Sequence, residues 1–169
     1  RGQDGLPDLG RVLALAEHGY SVTGVDISPG MIARARELAA EQRVAARFEV
    51  VGFGALAESL GGPYDALLCL GNSIPHLTDS TALTAALADF RRVLRAGGLL
   101  ILQQRNFDRV LARQERYMAP QSATRGDEEW LFVRFYDFSG ADLRFNLLRC
   151  YRRGKGPWDW HAEETPLRA

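Results

Sequence analysis

Residues 21–41 read SVTGVDISPGMIARARELAAE, a short β-branched run followed at once by a helical pattern. Pro29-Gly30 opens the helical part, because proline is preorganised for the first turn of a helix. The residues from Met31 to Glu41 are rich in the good helix formers alanine, arginine and leucine. We therefore predict a strand over Ser21–Asp26 and a helix over Met31–Glu41.

Strand and helix patterns alternate on both sides of this stretch. Upstream, Arg11–Gly19 has apolar residues at helical spacing and Gly19 as a C-cap, whereas Arg1–Gly10 matches no element. Downstream, the predicted elements are a strand over Arg47–Val51, a strand over Tyr64–Leu70, a helix from Asp79 or Ser80 to about Arg95, and a strand over Leu99–Leu102. The continuous apolar run of Tyr64–Leu70 is typical of a strand covered on both faces. This alternation favours right-handed βαβ units and a doubly wound parallel sheet.

The sequence changes character after Arg105. Trp130–Phe138 and Leu143–Tyr151 are longer runs in which polar and apolar residues mix, and Ser139–Asp142 supplies a turn between them. A third such run, Trp158–Glu164, follows a second turn. We therefore predict an α/β fold with a doubly wound parallel sheet and an appended antiparallel β meander.

The composition of the 169 residues is that of one globular domain, with 46% hydrophobic and 25% charged residues. The 21 basic residues balance 21 acidic ones, which argues against a nucleic-acid partner or a polybasic membrane-binding surface. No apolar run approaches the roughly 20 residues that span a bilayer, and the N-terminus has no secretory pattern. Cys69 and Cys150 both lie in apolar runs, so we expect no metal site and a cytoplasmic location.

Ligands of open parallel sheets bind outside the carboxyl ends of the strands, so the residues there are the first candidates. Asp26 ends the strand of the opening stretch. Its carboxylate can accept from both ribose hydroxyls of a nucleotide, or can serve as a turn or N-cap residue before the helix. Gly52 and Phe53 follow the next strand, where the phenyl ring either offers a face to an adenine or belongs to the core.

The next two strand ends carry further polar groups. Gly71 and Asn72 follow the long apolar run, with His76 close behind. Together they indicate a binding edge, although asparagine alone is typical of a turn and a single histidine of the surface. Arg105 follows the last predicted strand, where a guanidinium suits bidentate contact with a substrate carboxylate or an ion pair with Asp108.

Three segments, taken in order, resemble class I S-adenosylmethionine-dependent methyltransferases. They are Asp26–Met31 (DISPGM), Tyr64-Asp65 within a strand, and Leu94–Leu99 (LRAGGL). The resemblance covers residues 8 to about 105. It implies a Rossmann-like methyltransferase sheet, to which the antiparallel meander is appended.

Two segments, Cys69–Leu77 (CLGNSIPHL) and Gly97–Asp108 (GGLLILQQRNFD), resemble glycine N-methyltransferase and its relatives more narrowly. This resemblance implies methyl transfer from S-adenosyl-L-methionine to a small molecule, with N-methylation of an amino acid or amine. It also implies Asp26 on the ribose, Asn72 facing the acceptor and Arg105 on an acceptor carboxylate. The other cofactor contacts that it implies are Gly10, Ile27, Met31, Gly52, Phe53, Leu70, Gly71 and His76.

The sequence departs from the family pattern in three places. First, Asp8-Leu9-Gly10 is followed at once by Arg11, so the remaining glycines of the family's cofactor loop and the apolar strand before that loop are missing. Second, no acid follows the strand that ends before Gly52-Phe53, which is the third strand of the family. Third, relatives continue beyond Ala169. The missing apolar strand is the central strand of the family's sheet, and its loss would leave a hole there. We therefore expect that segments near residues 1–11 are absent from this sequence, the cofactor loop among them. We expect a cofactor-binding core over residues 1–108 and a substrate-side β extension of the same domain over 109–169.

Other functions remain open at this point. The acceptor atom can be an oxygen or carbon of another metabolite. The acid Asp26 at its strand end also suits a nicotinamide-dependent oxidoreductase. A true deletion of the cofactor loop would instead favour a non-catalytic nucleotide-binding domain. In each case we expect a small-molecule partner and neither nucleic acid nor membrane, with a homo-oligomer left open.

Overall fold

The computed structural model describes residues 7–139 and 142–168, which form two compact units. Residues 7–71 and 80–103 make the first unit, and residues 72–79 with 104–168 make the second. The helices are α1 (Pro7–Glu17), α2 (Pro29–Gln42), α3 (Leu56–Leu60), α4 (Ser80–Val93) and α5 (Phe107–Arg113), with a 3-10 turn over Ile74–His76. The strands are β1 (Thr23–Asp26), β2 (Arg47–Val50), β3 (Tyr64–Cys69), β4 (Leu94–Leu102), β5 (Gln121–Arg125), β6 (Glu128–Ser139), β7 (Asp142–Arg153) and β8 (Asp159–Leu167).

The first unit holds two separate pairs of parallel strands. β1 pairs with β2, which sets Asp26 opposite Val50, and β3 pairs with β4, which sets Cys69 opposite Leu102. No described strand joins the two pairs. The prediction that Tyr64–Leu70 is covered on both faces is wrong, because no described element shields much of β3 and Leu68 is 42% exposed.

A small core holds α1 and α2 against the first strand pair. Ile32, Ala35 and Ala39 share one face of α2, at spacings of three and four residues, and are buried with Leu13 of α1 and Phe48 of β2. Ser28 caps α2, since its Oγ accepts from the Met31 backbone N–H at 3.3 Å. These local signals explain why the predicted strand and helix of the opening stretch are both found.

A buried carboxylate joins α3 to α4. Asp89 of α4 is fully buried, and its two oxygens accept from the backbone N–H groups of Leu56 (2.7 Å) and Ala57 (3.1 Å). Arg92 donates to the same carboxylate at 2.9 Å. Burial raises the pKa of Asp89, but these three donors outweigh it and hold the pKa below its ordinary value. The side chain of Asp89 therefore supplies the N-terminal cap that Ala55 cannot give to α3.

The second unit is built on an antiparallel sheet in the order β5-β6-β7-β8, which confirms the predicted meander. β6 pairs with β7 from Glu128 opposite Arg153 onward. α5 packs on one end of the sheet, where Phe107 and Val110 are buried with Tyr136 and Leu143. Positions 140 and 141 of the predicted turn Ser139–Asp142 lie outside the described residues.

Several boundaries differ from the sequence expectations. The first helix begins at Pro7, so part of the stretch assigned to no element is helical. The last strand of the first unit begins at Leu94, directly after α4, because β3 and β4 stay paired across a register shift. Within the described residues, no helix has the length and hydropathy needed to cross a membrane, and no cluster of side chains suited to a metal ion is found.

Candidate functional site

The carboxylate at the end of β1 is only partly used by the chain. Asp26 is half-buried, and its Oδ1 accepts from the Ser28 backbone N–H at 2.7 Å, which fixes the turn into α2. Its other oxygen, Oδ2, has no hydrogen-bond donor among the described residues. The turn role is therefore real, and the helix cap falls to Ser28. One carboxylate oxygen stays available for a ligand.

The neighbouring strand end lies directly against this one. The Val51 backbone N–H donates to the Asp26 carbonyl at 3.0 Å, so the parallel ladder continues past the strand ends. A Cβ added to Gly52 would lie 3.0 Å from Cγ2 of Ile27, which is tighter than an ordinary contact. Ile27 itself is 76% exposed. Glycine at position 52 therefore lets the exposed side chain of Ile27, the residue after Asp26, lie close against the backbone.

The aromatic candidate is anchored on one side and open on the other. Phe53 is 36% exposed, and its ring meets that of Phe90 edge-on at a centroid distance of 5.5 Å. Part of the Phe53 ring therefore belongs to the core and part faces outward, and its contact with an adenine stays a prediction. Met31 is half-buried in the first turn of α2, close in sequence to Asp26.

The ends of β3 and β4 are tied together by a side chain that the sequence analysis missed. The Gly71 backbone N–H donates to Oε1 of Gln103 at 3.0 Å, and the Gln103 N–H donates to the Cys69 carbonyl at 3.0 Å. Gly71 has φ +76°, a conformation that favours glycine, and Leu70 before it is half-buried. A glutamine directly after a long apolar strand was the available signal for this contact.

Asn72 and Arg105 come together in the second unit. Asn72 adopts φ +67°, and its Oδ1 accepts from the Arg105 backbone N–H at 2.5 Å. The Arg105 guanidinium lies over the ring of Tyr136, 5.8 Å from the centroid. Arg105 forms no ion pair with Asp108 or with any other described acid. An open hollow of about 420 Å³ lies beside it, lined by Gln104 to Asp108.

Two predicted cofactor residues stand apart from these contacts. His76 lies in the 3-10 turn, and partial burial of its ring lowers its pKa below the ordinary value. Gly10 lies inside α1, where an added Cβ would meet no heavy atom within 4 Å. No neighbouring described group therefore requires glycine at position 10.

Comparison with known proteins identifies the family. The sequence profile of a family described as "Methyltransferase domain" matches residues 10–98. The chain belongs to the methyltransferase-domain family. Glycine/sarcosine N-methyltransferase of Parasynechococcus marenigrum is 38% identical to this family member over 99 residues, covering 59% of this chain and 35% of the relative. Human glycine N-methyltransferase is 34% identical over 113 residues, and the match covers 59% of this chain and 38% of the human protein.

Solved structures agree with the family at the level of fold. A methyltransferase of Clostridium acetobutylicum, described as S-adenosylmethionine-dependent, superposes with a TM-score of 0.68 at 17% identity, covering 89% of this chain and 58% of that one. The predicted Rossmann-like methyltransferase fold with an antiparallel sheet toward the C-terminus is thereby confirmed. This chain matches little more than a third of the length of each curated relative named above.

Proposed function

We propose that this protein is an S-adenosyl-L-methionine-dependent methyltransferase of small molecules, and that its acceptor is the amino group of an amino acid or amine. The observation that carries the proposal is the strand-end carboxylate of Asp26, with one oxygen left for a ligand, in a chain of the methyltransferase-domain family. The similarity to glycine and glycine/sarcosine N-methyltransferases supports nitrogen as the acceptor atom.

The residues at the strand ends of the first unit fit the cofactor. In this proposal Oδ2 of Asp26 accepts from a ribose hydroxyl, which a carboxylate does well because it is an ionised acceptor. The exposed side chain of Ile27, which lies close against the backbone of Gly52, suits contact with a flat apolar group such as an adenine. The other residues assigned to the cofactor are Met31, Phe53, Leu70, Gly71, His76 and Gly10.

Asn72 and Arg105 would position the acceptor. Oδ1 of Asn72 accepts from the Arg105 backbone N–H, so Nδ2 of Asn72 remains to donate a hydrogen bond to an oxygen of the methyl acceptor. The Arg105 guanidinium has no described acidic partner, and it suits a carboxylate bidentately. The hydrogen bond from the Arg105 backbone N–H to Asn72 Oδ1 fixes these two groups relative to each other. Such positioning of an acceptor lowers the activation barrier of a reaction.

The chemistry asked of these residues is modest. When bound, S-adenosyl-L-methionine supplies an electrophilic methyl group on a sulfonium centre. Asn72 and Arg105 would hold an acceptor whose amine has already lost its proton, with the nitrogen lone pair free to take up a methyl group. The proton that the nitrogen carries after methylation would pass to water. No strong general base is needed, and positioning and exclusion of water carry the rate.

The remaining expectations are proposals of the same kind. Neither Cys69 nor Cys150 forms a disulfide within the described residues, which supports a cytoplasmic location. The balance of 21 basic and 21 acidic residues supports a small-molecule acceptor over a nucleic acid. Division into a cofactor core over residues 1–108 and a substrate-side extension over 109–169 belongs to the same proposal.

Isothermal titration of the protein, its intact mass verified, with S-adenosyl-L-methionine and separately with NAD tests the proposal. We expect binding heat with the first ligand and none with the second. Heat with NAD alone would point to a nicotinamide enzyme, and no heat with either ligand would point to a non-catalytic domain. Both results contradict the proposed function.

A further inference from the structure

The strands β6, β7 and β8 contain five arginines, and four of them face a carboxylate on an adjacent strand. The ion pairs run across the sheet and include three with N···O distances of 2.6 Å. The pairs are Arg144 with Glu164, Arg149 with Glu163, Arg152 with Glu129, and Arg153 with Glu128. Arg134 is the exception: within the described residues it forms no ion pair and its side chain forms no hydrogen bond.

The environment of Arg134 makes this exception costly. It lies in the middle of β6, opposite Leu147, and is half-buried. Its Nε is fully buried and has no hydrogen-bond partner. A buried donor on an ionised group that is left unsatisfied costs more than the same group in water, so such a group is normally found with an acceptor. The two terminal guanidinium nitrogens of Arg134 have no hydrogen-bond partner among the described residues either and are not fully buried, so an anion bound beside Arg134 would supply acceptors to them.

A second cation without a described acidic partner lies on the same side of β6 as Arg134. Side chains two residues apart on a strand share a face, so Arg134 and Tyr136 lie on the same side of β6, with Cα atoms about 7 Å apart. The Arg105 guanidinium lies over the ring of Tyr136, 5.8 Å from its centroid. Arg105 and Arg134 therefore both place a positive charge on this face of β6. Positive charges on one face favour the binding of an anion.

We propose that Arg134 binds a second anionic group of the acceptor, so that the preferred acceptor is an amino acid with a carboxylate side chain. This inference rests on the proposed function, in which Arg105 holds the first carboxylate. A monocarboxylate engages Arg105 alone, whereas a dicarboxylate engages both guanidinium groups. Arg134 would thus determine which acceptor the enzyme selects.

The test uses two simple probes, acetate and succinate, titrated into the whole chain at constant ionic strength. Wild-type protein is expected to bind succinate at least about tenfold more tightly than acetate, as one additional charge-assisted hydrogen-bonded pair predicts. R134Q should lose this preference and keep the acetate affinity of the wild type. R149Q is the matched control, because Arg149 lies on the same face but is paired with Glu163; it should keep the preference.

Unchanged succinate affinity in R134Q would overturn the proposal. Equal weakening of acetate and succinate in R134Q would overturn it as well, because Arg134 would then hold the first carboxylate or act only on the fold. The melting temperature of R134Q is expected to stay level, since glutamine places its own amide group where the unpartnered Nε lies and the variant breaks no side-chain ion pair or hydrogen bond among the described residues. If R134Q does not fold, R134K replaces it, with several-fold weaker succinate binding expected and wild-type binding as the refuting result.

Failure of this inference can be told apart from failure of the proposed function. Binding of S-adenosyl-L-methionine is measured on the same protein samples without either carboxylate present. Loss of cofactor binding in the wild type contradicts the proposed function, whatever Arg134 does. Retained cofactor binding together with an unchanged succinate preference in R134Q overturns only the role given to Arg134.

Discussion

Gly52 lies beside Ile27 at the strand ends of the first unit, where we propose that the cofactor binds. A methyl group at this position would approach Cγ2 of Ile27 to 3.0 Å, so one of the two must shift by a few tenths of an ångström. Ile27 is largely exposed and can move without disturbing the core. The contact therefore matters for the position of the Ile27 side chain and little for the stability of the fold.

G52A is expected to lower the melting temperature by no more than about 2 °C and to weaken S-adenosyl-L-methionine binding several-fold, because the added methyl group displaces the Ile27 side chain next to Asp26. Titration calorimetry and a thermal melt of the same sample measure both effects. G30A is the control, since an added Cβ there meets only Ser28 Oγ at 3.8 Å. Unweakened cofactor binding in G52A would show that the cofactor does not contact Gly52 and Ile27.

The strand end and the helix start of the opening stretch were predicted correctly because their signal is local. Asp26 ends a β-branched run and Pro29-Gly30 opens a helical pattern, so both boundaries can be predicted from adjacent residues. Gln103 and Arg134 were not singled out, because the hydrogen bond of Gln103 and the lack of a partner for Arg134 depend on residues that are distant in sequence. Asn72 and Arg105 were singled out separately, and only the fold brings them into contact.

At the scale of elements, α3 and α4 depend on each other. The five residues of α3 are too few to be stable alone, and their N-terminal cap comes from Asp89, more than thirty positions along the chain. This is why α3 could not be predicted from local sequence. The available signal was an acid on the apolar face of α4, where Ala86, Phe90 and Val93 are buried beside it.

D89A is expected to reduce the free energy of unfolding at pH 7 by about 2–4 kcal/mol, because it leaves two backbone donors and Arg92 without their acceptor. Since the folded pKa of Asp89 lies below its unfolded value, its contribution is complete above pH about 4 and declines as the pH falls through the folded pKa. Urea unfolding of wild type and D89A between pH 7 and pH 2 measures this. A stability difference that stays constant down to pH 2 would contradict the assigned role.

At the scale of the whole chain, the meander was predicted more completely than the parallel strands. Long runs of mixed polar and apolar residues, separated by turns, predicted the antiparallel sheet, although β5 was missed because Gln121–Arg125 has few apolar residues. The parallel strands were located, yet they form two pairs whose apolar side chains are partly exposed, with Leu99 at 57%. The expectation of an absent central strand remains a prediction.

The central claim is that Asp26 holds the cofactor of a methyltransferase, and calorimetric titration of S-adenosyl-L-methionine into D26N and D65N tests it most directly. Both variants remove one negative charge from the first unit, but the side chain of Asp65 is 87% exposed and lies on β3 in an ion pair with Arg95. D26N is predicted to bind at least about tenfold more weakly than wild type, through loss of charge-assisted hydrogen bonds, and D65N to bind like wild type. Equal affinities of D26N and D65N would contradict the claim.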